Sequence, residues 1–143
     1  MISEVLERLN RARAEAGGAP LSLDTRLMQA ASAHAEFMAR RGLLSHEGEN
    51  GSTFDQRIRA AGYEFTSAAE NVAFGASDAV EVVTLWMNSP PHRANILKAE
   101  FTNAGIGIAA AMETAQGAAQ ETTAPLYWSL SLAAPTGPAE ETK

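Results

Sequence analysis

The chain contains no cysteine. Disulfides, thiol catalysis and cysteine-ligated zinc are therefore excluded. The absence leaves the compartment open, since extracytoplasmic proteins without cysteine are common. Positive charge is also scarce. Eleven Lys and Arg stand against 17 Asp and Glu, for a net charge of −6. A nucleic-acid partner needs a basic face, so none is expected. The same balance argues against electrostatic attraction to an anionic membrane. No apolar run approaches the roughly 20 residues that span a bilayer, so no transmembrane segment is expected. No signal-peptide pattern is present, because Met1 leads straight into a helical pattern. That fits a cytosolic protein or a chain that begins after a removed leader.

What remains is an ordinary globular composition of 143 residues, 45% of them hydrophobic. This suits one domain with one core. The expected domain spans residues 1–134, and residues 135–143 form a Pro/Gly/Glu tail expected to be flexible.

The least generic stretch is Trp86-Met87-Asn88-Ser89-Pro90-Pro91-His92-Arg93-Ala94-Asn95-Ile96-Leu97. It reads as the end of one helix, a corner and the start of another. Two prolines forbid a smooth continuation. Ser89 is placed as an N-cap with Pro90 at the first helical position. His92 then lies in the first turn, where the helix dipole favours a neutral imidazole. That is the form that binds a metal or accepts a proton.

Upstream, helical spacing predicts a helix over 3–16 with Val5, Leu6, Leu9, Ala12 and Ala16 on its apolar stripe. A second helix follows the Asp24 cap and runs to about Arg41, with Leu27, Ala30, Ala31, His34 and Met38 on one face. His34 has no second histidine one turn away and reads as a packed structural residue. Residues 43–52 form a loop carrying His46 between Ser45 and Glu47. Thr53 caps a short helix over 54–61. Residues 68–74 read as a short extended segment with Glu70 and Asn71. Ser77 or Asp78 caps the helix that ends near Trp86.

From Asn103 the period becomes two, and a strand carries Ile106, Ile108 and Met112 between glycines. Leu126, Trp128, Leu130 and Leu132 mark a second strand, and the two are expected to pair antiparallel. Residues 114–124 between them read as a mobile loop. Helices first and strands last point to an α+β fold.

In their order and spacing these pieces resemble the CAP superfamily of cysteine-rich secretory, antigen 5 and pathogenesis-related 1 proteins, also called SCP domains. The resemblance rests on Leu9-Asn10-Arg11-Ala12-Arg13 with Leu21-Ser22-Leu23-Asp24, on Ser45-His46, and on Glu70-Asn71-Val72-Ala73 with Gly75. It rests also on the run from Trp86 to Leu97, followed by Gly105-Ile106-Gly107. It is closest to the cysteine-free bacterial branch. It implies a three-layer α-β-α sandwich, a small antiparallel sheet flanked by helices. It further implies a concave site of two histidines and two acids, matched here by His46, His92 and Glu70. The second acid would follow the helix tryptophan by three residues. Ser89 stands there instead, as in the Trp-x-x-Ser-x-x-His form of bacterial members. Ser89 and the helix-face acid Glu81 are candidate binding residues.

Three kinds of chemistry fit such a site. His46, His92 and Glu70 suit zinc or another divalent cation, with water completing the shell. Without metal, Glu70 with His46 or His92 suits acid–base catalysis on a cell-envelope glycan or peptide. Glycoside hydrolysis usually needs a second carboxyl group, for which Glu47 or Glu49 are candidates. The third is binding without chemistry, of a small apolar ligand in a groove lined by Tyr63, Phe65 or Phe74. Those aromatics read more readily as ordinary core. The structural alternative is a buried His92–Glu70 pair that pins the corner to the sheet, with Asn71, Arg93 and Asn95 satisfying loop and helix-end groups. The leading expectation is a monomeric, secreted or periplasmic binding module whose groove holds a divalent metal. A hydrolase acting through the same residues is the alternative.

Overall fold

The structure, a computed structural model, describes residues 1–112 and 124–136. Most of the 114–124 loop and of the C-terminal tail thus lies outside the described residues. Among the described residues, five α-helices surround a four-stranded sheet. Helix α1 (Ile2–Glu15) buries Val5 and Leu9 one turn apart. Helix α2 (Thr25–Arg41) begins at Asp24, whose carboxylate accepts the Arg26 and Leu27 amides, and it ends at Gly42 in the left-handed region (φ +63°). Helix α3 (Phe54–Ala60) opens on a capping box between Thr53 and Gln56. Helix α4 (Ala79–Met87) is capped by Asp78. Helix α5 (Pro90–Leu97) starts at the two prolines.

The strands are β1 (Ser22–Leu23), β2 (Phe65–Phe74), β3 (Asn103–Ala110) and β4 (Leu126–Pro135), in the spatial order β1-β3-β4-β2. The sheet is mixed, not antiparallel throughout: β1 runs parallel to β3, while β3–β4 and β4–β2 are antiparallel. The extended segment expected over 68–74 is a full ten-residue edge strand. Residues 69–73 of that strand are buried on both sides, so it lacks the alternation that marks a half-exposed strand. A two-residue strand such as β1 leaves no periodic signal at all.

The three layers follow from the pleat. Ala69 and Ala73, Ala104 and Ile106, and Trp128, Leu130 and Leu132 face the layer of α1, α4 and α5, where they meet Val5, Leu9, Val82, Trp86 and Ile96. The alternate residues face α2. There β3 presents Gly105 and Gly107, and the α2 backbone lies against them. A Cβ on Gly105 would come 2.1 Å from the Leu27 carbonyl oxygen, and one on Gly107 would come 2.3 Å from that of Ala31. The glycines are there for close approach of helix to sheet.

Candidate functional site

The site forms at the β2 edge of the sheet. Glu70 faces the α2 layer, and its side chain is only 2% exposed. Its Oε1 is 2.9 Å from His46 Nδ1, and its Oε2 accepts a hydrogen bond from Arg57 Nη2 at 2.5 Å. Since a carboxylate in an ion pair with Arg57 can only accept, His46 Nδ1 carries the proton. In the neutral ring Nε2 then bears the lone pair. The His46 side chain is 58% exposed, so Glu70 holds an imidazole that faces solvent. The bond to Glu70 raises the His46 pKa above its ordinary value, against the opposing effect of burial.

Arg57 completes the arrangement. Its Nη1 donates to the carbonyls of His46 (3.0 Å) and Ser52 (2.9 Å), so one guanidinium ties the ends of the loop to Glu70. Within the loop, the Glu47 amide donates to Ser45 Oγ and the Gly48 amide to the Ser52 carbonyl. Gly48 has no room for a side chain: a Cβ would lie 2.8 Å from Arg57 Nη1 and 3.1 Å from His34 Nδ1. His34 lies beneath, with Nε2 2.7 Å from the Ser45 carbonyl and 4.0 Å from Glu70 Oε1.

His92 arrives from the opposite layer. The Asn71 side chain donates to its carbonyl (3.1 Å) and accepts from Asn95 Nδ2 (2.9 Å). The His92 ring meets Ser89 Oγ through Nδ1 at 2.9 Å. Burial lowers the His92 pKa, and the charge of His46 lowers it further. The corner is therefore pinned to the sheet by Asn71, and Glu70 is taken up by His46 and Arg57. The buried His92–Glu70 pair considered from sequence is not what forms.

Ser89 occupies the N-cap position of α5 but makes no capping bond, because its hydroxyl is turned to His92. Glu81 accepts from the Ser77 amide and hydroxyl at the start of α4 and lines the cavity beside Phe74. Glu49 pairs with Arg40. Of the aromatics, Tyr63 is core, its hydroxyl donating to Asn103 Oδ1. Arg59 covers the Phe65 ring at 4.4 Å. Phe74 is 44% exposed and lines an open cavity of about 510 Å³ with Val80 and Leu85.

The sequence pattern of the cysteine-rich secretory protein family, CAP, matches residues 6–129. The chain belongs to the CAP family. Two Bacillus subtilis proteins are related to this CAP domain over 105 residues, 73% of the chain. The uncharacterised YkwD is 37% identical and the uncharacterised membrane protein YlbC 29%. The chain spans 40% and 30% of their lengths. Among solved structures, an extracellular SCP-domain protein of Bacillus anthracis superposes with a TM-score of 0.76 at 23% identity, over 92% of this chain and 39% of that one. An outer surface protein of Borrelia burgdorferi gives 0.77 at 19%, over 94% and 92%. These likenesses establish the α+β fold of bacterial SCP domains. No helix among the described residues is long and apolar enough to cross a membrane.

A metal can be weighed against this donor set. Among the described residues no group of three or more His, Asp or Glu side chains is arranged to hold an ion. In this CAP domain both Glu70 oxygens are used by protein partners, which leaves the two imidazoles as donors. The His46–Glu70 bond is the outer-shell contact that orients metal-binding histidines, with the carboxylate behind the ring. Glu70 thus stands behind the His46 ring, and no three-ligand site forms among the described residues. Sequence reasoning found His46, Glu70 and His92 but missed Arg57, which looks like one of two solvated arginines flanking Ile58. The role of His34 had one visible sign, a polar side chain on the apolar face of α2.

Proposed function

We propose that this domain is an extracytoplasmic binding module whose ligand-facing groups are His46 and His92. One observation carries the reading. Glu70 is buried, with each carboxylate oxygen already engaged by Arg57 or His46, so it orients an imidazole and does not face a ligand. A general acid or base must reach the atom it serves, and a glycosidase needs two such carboxyl groups. Glu49, one candidate for the second, forms an exposed surface pair with Arg40. The extracellular and outer-surface naming of the Bacillus anthracis and Borrelia burgdorferi neighbours supports a position outside the cytoplasm.

Zinc or another divalent cation is the proposed ligand of the two imidazoles, with water in the remaining positions. Two protein donors imply weak, reversible binding, and the bound ion would supply a Lewis acid at the groove. Zinc titration by calorimetry, on the wild type and on His46→Ala/His92→Ala, tests the reading. Saturable one-to-one binding lost in the double variant is the expected result. No binding near neutral pH overturns the metal assignment. Release of fragments from cell-envelope glycan or peptide by the wild type, abolished in the double variant, replaces the module with a hydrolase.

A further inference from the structure

His34 is a buried titratable group that this reading does not use. Its side chain is fully buried in the middle of α2. The ring stacks on Phe37, with centroids 6.0 Å apart and planes 13° from parallel. Its one hydrogen bond is from Nε2 to the Ser45 carbonyl at 2.7 Å. A carbonyl only accepts, so Nε2 carries the proton. The ring is neutral, since burial lowers its pKa more than the charge of Glu70 raises it. Nδ1 is therefore a bare acceptor, buried with no partner among the described residues. An apolar side chain of similar size would fill this place without an orphan acceptor. Packing alone thus does not account for the imidazole, whereas its grip on Ser45 does.

Ser45 is the residue before His46. The two successive carbonyls of residues 45 and 46 are held from below, the first by His34 and the second by Arg57. Arg57 also holds the far side of Glu70. Both ends of the His46–Glu70 bond are thereby anchored. An exposed loop histidine could otherwise choose among many rotamers and either tautomer. We infer that His34 is a positioning residue of the site: by donating Nε2–H to the Ser45 carbonyl it sets the backbone from which the His46 ring reaches Glu70. The inference goes beyond the proposed binding function and stands whether or not the groove takes a metal.

Nitrogen-15 correlation spectra of the imidazoles test it on the full chain, freed of metal with chelator. In the wild type at neutral pH, His34 is expected as the Nε2–H tautomer. His46 is expected as the Nδ1–H form with an exchange-protected ring proton. In His34→Leu the His46 proton is expected to disappear into fast exchange and its tautomers to mix, with the His92 signals unchanged. His34→Gln, whose amide reaches the position of Nε2, is expected to restore the His46 signature. Zinc affinity should follow the same order, weakened about tenfold or more in His34→Leu, as for other losses of outer-shell support. A His46 signature unchanged in both variants leaves His34 as core packing and overturns the inference. So does a wild-type His34 protonated on Nδ1, a result that needs no variant to fold. Absence of zinc binding with the signature intact overturns the proposed function alone.

Discussion

Glu70 and Asn71 are neighbours in β2 whose side chains face opposite layers, and each governs a different histidine. Glu70 points to the α2 layer and holds the His46 ring; Asn71 points to the α5 layer and holds the His92 carbonyl. The period of two in a strand makes this division unavoidable. The edge strand thus holds a histidine-bearing segment from each layer, one through its ring and the other through its backbone.

The division predicts separable effects. Glu70→Gln leaves Arg57 without its charge partner in a site where Glu70 is 2% and Arg57 12% exposed. Breaking a buried pair on one side costs about 3–5 kcal/mol. The His46 pKa should fall back toward its ordinary value, because the bond to Glu70 is what raises it. Asn71→Ala removes the side-chain donor to the His92 carbonyl and leaves the Asn95 amide without its acceptor, at a cost of about 1–3 kcal/mol. It should not move the His46 titration. Urea unfolding and histidine NMR titration of both variants check this, and a His46 shift in Asn71→Ala would contradict the division.

The contact of α2 with β3 gives a second prediction. Gly105→Ala places a methyl group 2.1 Å from the Leu27 carbonyl oxygen, and Gly107→Ala places one 2.3 Å from that of Ala31. Both obstacles are helix backbone, so no side-chain rotation relieves them. Overpacking typically costs about 1–3 kcal/mol and more where backbone must move. Each variant should melt well below the wild type. The double variant should also lose the His34–Ser45 contact as α2 lifts, visible as a change in the His34 signals. Wild-type melting of Gly105→Ala would mean that α2 stands farther from the sheet than these contacts require.

Much of this was legible in the sequence, for reasons that also explain the rest. The helix caps at Asp24, Thr53 and Asp78 are local chemistry, so α2, α3 and α4 begin where the sequence predicts. Trp128, Leu130 and Leu132 alternate because only their face of β4 meets the larger core. His46, Glu70 and His92 were found through the order of motifs. Local chemistry could not reveal that Arg57 crosses from α3 to Glu70, or that Asn71 and not Glu70 pins the corner. Those partners lie 13 and 21 residues apart and meet only through the topology.

The three histidines should leave opposite marks on stability as pH changes. Burial holds His34 below its ordinary value of 6.5, and burial with the His46 charge does so for His92. As pH falls below about 6.5, the unfolded chain takes up protons that these folded groups refuse. Their contributions are present above that pH and are lost as pH falls toward their folded values. His46 is raised, so its contribution is present below 6.5 and is lost as pH rises through its folded value. The stability of the wild type relative to His34→Gln should therefore shrink from about pH 7.5 to about pH 5. Relative to His46→Ala it should shrink from about pH 6 upward. Urea midpoints across that range check both signs, and parallel curves for all three proteins would refute the assignment.

Arg13 gives the last prediction, away from the site. It is a cation, 1% exposed, that donates only to carbonyl oxygens: Ala19 from Nε (2.7 Å), Ile96 and Lys98 from Nη1 (2.8 and 3.1 Å), and Phe101 from Nη2 (2.8 Å). Ile96 lies in the last turn of α5, where carbonyls lose their helical partners, and the guanidinium supplies a donor to it. The end of the helix that carries His92 is thus tied to α1. Lysine keeps the charge but concentrates its donors at one point, so it cannot span four carbonyls as the planar fork does. Each abandoned buried carbonyl costs about 1–3 kcal/mol. Arg13→Lys should therefore lose about 3 kcal/mol, a fall in Tm of roughly 10 °C for a domain of this size. Arg13→Met, with no donor, should lose more. The order wild type, lysine, methionine in thermal unfolding is the signature of geometry acting beyond charge. Equal melting of the lysine variant and the wild type would show that a point charge is enough to hold the end of α5.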